Sequence, residues 1–293
     1  RIGFASEIAS RHDIRYESQI YAALFTASPM DRELRQKLAA LGVSHLMAIS
    51  GFHLGVLSFV LFLILKLPFL FVQERFFPYI NRRRELFGIV VLFLFAYLVF
   101  LDYVPSLLRA FAMMIVGFVL YDRGIKVLSM QTLLIAVMLL LALWPRLLFA
   151  LGFWLSVGGV FWILLFLQHF GHWNKTVQFI GIHLWVYLMM LPASLYLFET
   201  FSLMHPVSIL WSMLFILFYP LVLLAHVIGL EMHLQGVLSQ LLELASVSTV
   251  SLPGWVVILQ MATAFSLFFR ARNVWVLFAV VCAVFVGAVY QVA

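Results

Sequence analysis

Val43-Ser44-His45-Leu46-Met47-Ala48-Ile49-Ser50-Gly51-Phe52-His53-Leu54-Gly55 leads without a break into Val56-Leu57-Ser58-Phe59-Val60-Leu61-Phe62-Leu63-Ile64-Leu65. No Asp, Glu, Lys or Arg occurs from 38 to 65. A helix needs about 20 mostly apolar residues to cross the hydrocarbon of a bilayer, and this stretch supplies them. The rest of the chain repeats the pattern. Charge-free runs cover 127–145, 147–174, 176–198, 200–230, 244–269 and 273–293, and a shorter pair, 86–101 and 110–121, flanks Asp102 and Arg109. Of the 293 residues, 65% are hydrophobic and 10% charged, far from the near-half and quarter of soluble domains. A water-soluble domain, a disordered chain and a disulfide scaffold are all excluded, the last because Cys282 is the single cysteine.

The expected fold is an all-α polytopic membrane protein of about 9–10 membrane helices, some broken or interfacial. Spans are read near 44–66, 86–101, 104–121, 128–144, 147–169, 176–198, 206–229, 252–269 and 273–291. The stretch 232–250 holds Gln235, Gln240 and Glu243 and is read either as a crossing or as an interfacial segment. Residues 1–42 form an extracytoplasmic amphipathic lead-in and 43–293 the transmembrane domain. The chain opens at Arg1 with no n-region, h-region or cleavage site, so it is expected to be a cut from a longer protein with domains on either side.

Lys66, Arg75, Arg82, Arg83 and Arg84 put the loop 66–85 in the cytoplasm. Counting alternately, 122–127 and 170–175 join it. The lead-in then lies outside, although it carries Arg1, Arg11, Arg15, Arg32, Arg35 and Lys37. Long external segments translocate regardless of charge; a basic collar that collects a polyanion is the functional alternative. Ser28-Pro29-Met30-Asp31 reads as a capping box with proline at the first helical position. The helix that follows carries Leu34, Leu38 and Leu41 on one face and stops at Gly42, which suits a surface-lying segment. Ile20, Leu24 and Ala27 suggest a second short amphipathic turn before it.

Polar groups in lipid are costly and mark packing or pathways. Ser50 and His53, three apart, meet on one helix face. Gly51 and Gly55 form a small-xxx-small pair for a close backbone approach. The other reading is that Ser50-Gly51 breaks the helix and turns backbone dipoles toward a cavity. Arg109 follows Pro105-Ser106 inside a span, where it costs about 2.5–3.5 kcal/mol. It pairs with Asp102 or faces an aqueous path in which its fork suits phosphate. Gly152, Ser156 and Gly159 share a face and read most simply as a helix contact, pore lining being the other reading. No G-x-x-x-x-G-K-[ST] and no H-E-x-x-H occurs. His169 and His172 lack a third ligand nearby. No cofactor, metal or catalytic residue is expected.

The stretch Gly42 to Gly55 resembles the signature of the ComEC-type competence channel family. Ala22-Ala23-Leu24-Phe25 with Asp31-Arg32-Glu33-Leu34-Arg35, then Pro105-Ser106-Leu107-Leu108-Arg109-Ala110, then Pro145 with Leu151-Gly152-Phe153-Trp154-Leu155-Ser156 resemble further family segments in the same order. The resemblance covers roughly 20 to 230. It departs at Phe52 and Leu54, and near Trp211-Ser212, where the family often has Asn before proline. It implies an inner-membrane, multi-pass bacterial channel carrying single-stranded DNA into the cytoplasm during natural transformation. The implied partners are the strand, the bilayer, a periplasmic DNA receptor and a cytoplasmic helicase or single-strand-binding proteins. The OB-like and metallo-β-lactamase-like domains of many members are not on these residues, so no nuclease activity transfers and the chain is not read as an enzyme. Expected path residues are His45, Ser50, Gly51, His53, Gly55, Pro105, Ser106, Arg109, Gly152 and Ser156; Arg32, Arg35 and Lys37 would collect DNA outside. A small-anion secondary transporter is the first competing reading, though no inverted repeat is visible. An intramembrane serine hydrolase built on Ser50 and His53 is the second; it requires the helix to break.

Overall fold

The computed structural model describes residues 15–47, 49–76, 79, 81–228, 248–266 and 274–292. Among them run helices α1 (Arg15–Thr26), α2 (Arg32–Ala40), α3 (Ser44–Met47), α4 (Gly51–Phe76), α5 (Arg82–Phe100), α6 (Pro105–Asp122) and α7 (Met130–Leu143). A 3-10 turn (Pro145–Phe149) leads to α8 (Leu151–Phe170), α9 (Lys175–Phe198) and α10 (Ser208–Val227), then α11 (Gly254–Ser266) and α12 (Val274–Val292). The chain is thus an all-α membrane protein. Among the described residues six helices are long and apolar enough to cross a membrane, Gly51–Phe76, Pro105–Asp122, Leu151–Phe170, Lys175–Phe198, His205–Ala225 and Val274–Val292. α5 coincides with the second expected span but starts on three arginines.

Some boundaries differ from expectation. α4 begins at Gly51, not 44, and runs through Lys66 and Pro68 to Phe76, 26 residues in all. That is about 39 Å of helix, so Lys66 and Arg75 lie on α4 and Arg82, Arg83 and Arg84 on α5. α7 has 14 residues, about 21 Å, too short to cross hydrocarbon alone; Pro145 ends it. The ambiguous crossing at 232–250 lies outside the described residues except at 248–250. There, β2 (Ser248–Thr249) pairs antiparallel with β1 (Thr200–Phe201), a short sheet that apolar patterning does not announce.

The chain divides into two compact units, Arg1–Pro29, His45–Trp154 and Phe215–His233 in one, Met30–Ser44, Leu155–Leu214 and Leu234–Ala293 in the other. In the first, Leu86, Val90, Leu94 and Leu98 recur every four residues along α5 and are all buried, a helical packing ridge. Val90, Leu94 and Leu98 join Ile49, Leu54, Leu101, Leu107 and Phe111 in one core among α4, α5 and α6. Phe87 and Phe118 stack with centroids 3.6 Å apart. Tyr97 Oη donates to the Phe25 carbonyl at 3.2 Å, which ties the end of α1 to α5. The short amphipathic turn expected near Ile20 is this 12-residue helix. Its residues Ile20 to Thr26 are buried in protein, and that burial pushes the Tyr21 phenol above its ordinary value, with Glu17 adding to it.

In the second unit, Leu191, Leu195, Phe201, Val250 and Ala288 form the core. Trp185 Nε1 donates to the Trp162 carbonyl at 3.1 Å, and Gln260 Nε2 to that of Met189 at 2.8 Å. α2 packs on β1.

The surface-lying reading of α2 is therefore corrected. Leu34 and Leu38 are 0% and 2% exposed, so the leucine face meets protein, not lipid. The capping box is corrected too. The N-cap is Asp31, without a side-chain cap bond, while Ser28 Oγ lies 2.7 Å from Thr26 Oγ1. The stop at Gly42 holds. Gly42 has φ +72°, and Val43 N bonds Leu38 O while Gly42 N bonds Ala39 O, both at 2.9 Å, a Schellman ending. The His205 ring stands 2.8 Å from where a Cβ on Gly42 would lie.

Candidate functional site: the polar seam at the start of α4

Ser44-His45-Leu46-Met47 makes a single helical turn, and α4 starts afresh at Gly51. Ile49 and Ser50 lie between the two, outside any helix. The helix break of the second reading is present. Ser50 and His53 do meet, as N-cap and third helical residue instead of one face of a continuous helix. His53 Nδ1 accepts the Ser50 backbone N–H at 3.2 Å and lies 3.0 Å from Ser50 Oγ. This is the return limb of a capping box, with imidazole in the place of Glu or Gln. The Ser50 carbonyl takes the first helical bond, from Leu54 N at 3.2 Å.

The His53 ring is 1% exposed. It stands nearly edge-on to Tyr219 and Phe215, with centroids 4.6 and 5.4 Å away. Its Nε2 meets no hydrogen-bond partner among the described residues.

A helix break leaves carbonyls without amide partners, and in lipid these must be satisfied by protein. Ser106 performs this task, its Oγ donating to the Ile49 carbonyl at 2.6 Å. Pro105 occupies the first position of α6, where a missing N–H costs nothing, and so delivers Ser106 to the break. One turn on, a Cβ at Gly51 would lie 3.3 Å from Ala110 Cβ. Gly51 is therefore the half of the glycine pair that admits a neighbour. Gly55 is exposed, with nothing near its missing side chain among the described residues.

Arg109 lies between Ser106 and Ala110 and is half-buried. Its Nε is buried without a hydrogen-bond partner among the described residues. The expected pair with Asp102 does not form. Asp102 and Tyr103 both take left-handed conformations, φ 56° and 55°, so the chain turns before α6 and the two residues do not share a helix. Among the described residues the guanidinium has no carboxylate partner at all. It rests instead against Gly152, whose missing Cβ would stand 3.2 Å from Nη2. The Gly152–Ser156–Gly159 stripe is thus not the uniform helix contact expected. Gly152 makes room for a cation, Ser156 is exposed, and Gly159 meets no neighbour among the described residues.

The first unit accordingly joins segments separated by a hundred residues of chain. Ser50, Gly51, His53, Pro105, Ser106, Arg109 and Gly152 share it, and His45 is exposed on α3. Sequence reasoning missed Ala110, Phe215 and Tyr219, which are ordinary apolar positions until the helices pack. It also missed Gln260, fully buried, whose amide oxygen has no partner among the described residues; a glutamine in the charge-free run 244–269 was the available signal.

On α2, Arg32 and Arg35 are exposed. Lys37 is paired with Glu33 at 2.9 Å, one turn apart, so its charge is partly compensated.

The family model described as competence protein matches residues 26–293. The chain belongs to the competence protein family, and with its six long apolar helices it is a multi-pass membrane protein of that family. No curated protein and no solved structure matches it.

Proposed function

We propose that this chain forms the passage by which a single DNA strand crosses the bacterial inner membrane into the cytoplasm during natural transformation. Arg109 carries the reading. A half-buried guanidinium without a carboxylate partner is expensive to keep in a membrane protein, and its planar fork suits phosphate. The Ser106–Ile49 bond and the space at Gly152 hold it in place. Family membership supplies the biological context. Arg32 and Arg35 concentrate the strand outside, a periplasmic receptor hands it over, and a cytoplasmic helicase or single-strand-binding proteins draw it in.

The chain acts as a conduit, not an enzyme. The Ser50–His53 contact supports this, because the His53 Nδ1 lone pair already serves the Ser50 backbone N–H. A general base would need that lone pair for the serine proton.

The test is fluorescent-DNA uptake in a deletion strain carrying the gene or its Arg109→Ala variant. The loss of charge-assisted hydrogen bonds, about 1.5–3 kcal/mol, predicts a fall in uptake of roughly ten- to a hundredfold at unchanged protein level. Uptake at the wild-type rate would falsify the reading. A variant that keeps DNA uptake but loses small-anion flux would assign the site to a transporter.

A further inference from the structure

Far along α4 from the seam, about 30 Å by helical rise between His53 and Gln73, lies a different kind of site. Arg75, Arg82, Arg83 and Arg84 lie where α4 ends and α5 begins, with Glu74 and Glu85 among them and Lys66 about 15 Å back along α4. None of the five cations forms an ion pair among the described residues. Two are aimed by neutral acceptors instead. Arg82 Nε donates to Gln73 Oε1 at 3.0 Å, and Arg83 Nη1 to Tyr121 Oη at 3.1 Å. Such partners fix a guanidinium without cancelling its charge.

Beside Gln73 opens a groove of about 450 Å³ between α4 and α5, within the size range of ligand sites. Leu65, Pro68, Phe69, Val72 and Ile89 line it, with Gln73 and Glu85 its only polar lining residues. Phe71, Phe76 and Tyr79 are exposed nearby, as aromatic residues are at a membrane interface.

We propose that this groove seats an acyl chain of an anionic phospholipid whose phosphate is held by Arg82, which stands beside the groove on Gln73, with Arg83 and Arg84 adding positive charge around the headgroup. Basic sites between helices on the cytoplasmic side are suited to such headgroups, and the arginine fork suits the phosphate. A DNA strand offers the same phosphate. It offers no hydrocarbon for five apolar side chains, and Glu85 at the groove opposes a polyanion more than a single headgroup. The lipid site stands apart from the DNA reading and survives its failure.

The test uses the full chain, purified and placed in nanodiscs of phosphatidylcholine alone or mixed with phosphatidylglycerol, with lipid retained after detergent washing read by native mass spectrometry. The wild type retains phosphatidylglycerol in preference to phosphatidylcholine. At about 1 kcal/mol per arginine, the triple variant Arg82→Gln, Arg83→Gln, Arg84→Gln loses that preference by roughly a hundredfold. Ile89→Trp fills the groove with every charge kept and also loses retention. Where its thermal midpoint in phosphatidylcholine shows that it does not fold, Val72→Phe replaces it. Equal retention of the two lipids, retention by the triple variant, or full retention by the filled groove overturns the proposal. So does displacement of the lipid by a short single-stranded oligonucleotide, which assigns the arginines to DNA.

Discussion

Arg109 and the pair Arg32 and Arg35 carry the same functional group in opposite settings. Arg32 and Arg35 project from an amphipathic helix whose leucine face is buried. They cost the fold little and are screened by salt. Arg109 is half-buried, without a carboxylate among the described residues, and is held by its backbone position and a missing Cβ at Gly152. A cation at a helix surface needs only water around it; one inside a bundle needs a scaffold that builds its place. That scaffold is the helix break at Ile49 and Ser50, closed by Ser106 and tightened at Gly51. Most ways of breaking the contrast therefore act through residues that are not charged.

Gly51→Leu is expected to have the largest effect. A side chain there meets Ala110 Cβ at 3.3 Å from its first carbon, and forcing α4 from α6 costs about 1–3 kcal/mol or more. The amount of protein in the membrane and its thermal midpoint should both fall. Ser50→Ala should do less: it removes the Oγ contact with His53 Nδ1, about 0.5–1.5 kcal/mol for one hydrogen bond, while His53 still accepts the backbone N–H. The reverse order would favour a catalytic serine.

Next comes Ser106→Ala, which leaves the Ile49 carbonyl without its donor at a cost of about 1–3 kcal/mol. Thermal unfolding in detergent measures it. Ser106→Thr, which keeps the hydroxyl, should restore most of the loss; if it does not, the hydrogen bond is not what holds the break.

Gly152→Ala sharpens the comparison further. The new methyl obliges the guanidinium of Arg109 to yield by a few tenths of an ångström. DNA uptake should fall severalfold while the thermal midpoint barely moves. An unchanged rate would show that the position of Arg109 is not critical.

The smallest effect belongs to the exposed pair. Arg32→Gln with Arg35→Gln should leave folding intact and weaken single-strand binding by the purified protein at low salt only. If each contacts one phosphate, the slope of log affinity against log salt becomes shallower by about 1.4. A wild-type slope in the variant would discredit the collar.

The spans were legible because hydrocarbon selects composition directly: a charge-free, apolar run of about 20 residues is what a crossing helix requires and what a water-exposed segment avoids. The stop of α2 at Gly42 was legible because few residues other than glycine tolerate φ +72°. Less of the site could be read. Ser50, His53 and Arg109 stood out as polar groups in apolar runs, yet their partners did not. The pairing of Arg109 with Asp102 rested on sequence spacing, and two left-handed residues at the turn before α6 removed it. The leucine face of α2 was correctly drawn, but amphipathicity alone does not say whether lipid or protein covers it.

The sequence by itself determined that this is a helical membrane protein, where most of its spans lie and which polar residues are too costly to be incidental, since each follows from the local price of water-free surroundings. Only the tertiary structure decided that Ser106 closes the break at Ile49, that Ala110 meets Gly51 and that Gly152 leaves room for Arg109. Those facts depend on which helices become neighbours. Shape and hydrogen-bond complementarity between distant segments fix that choice, and no local pattern records it.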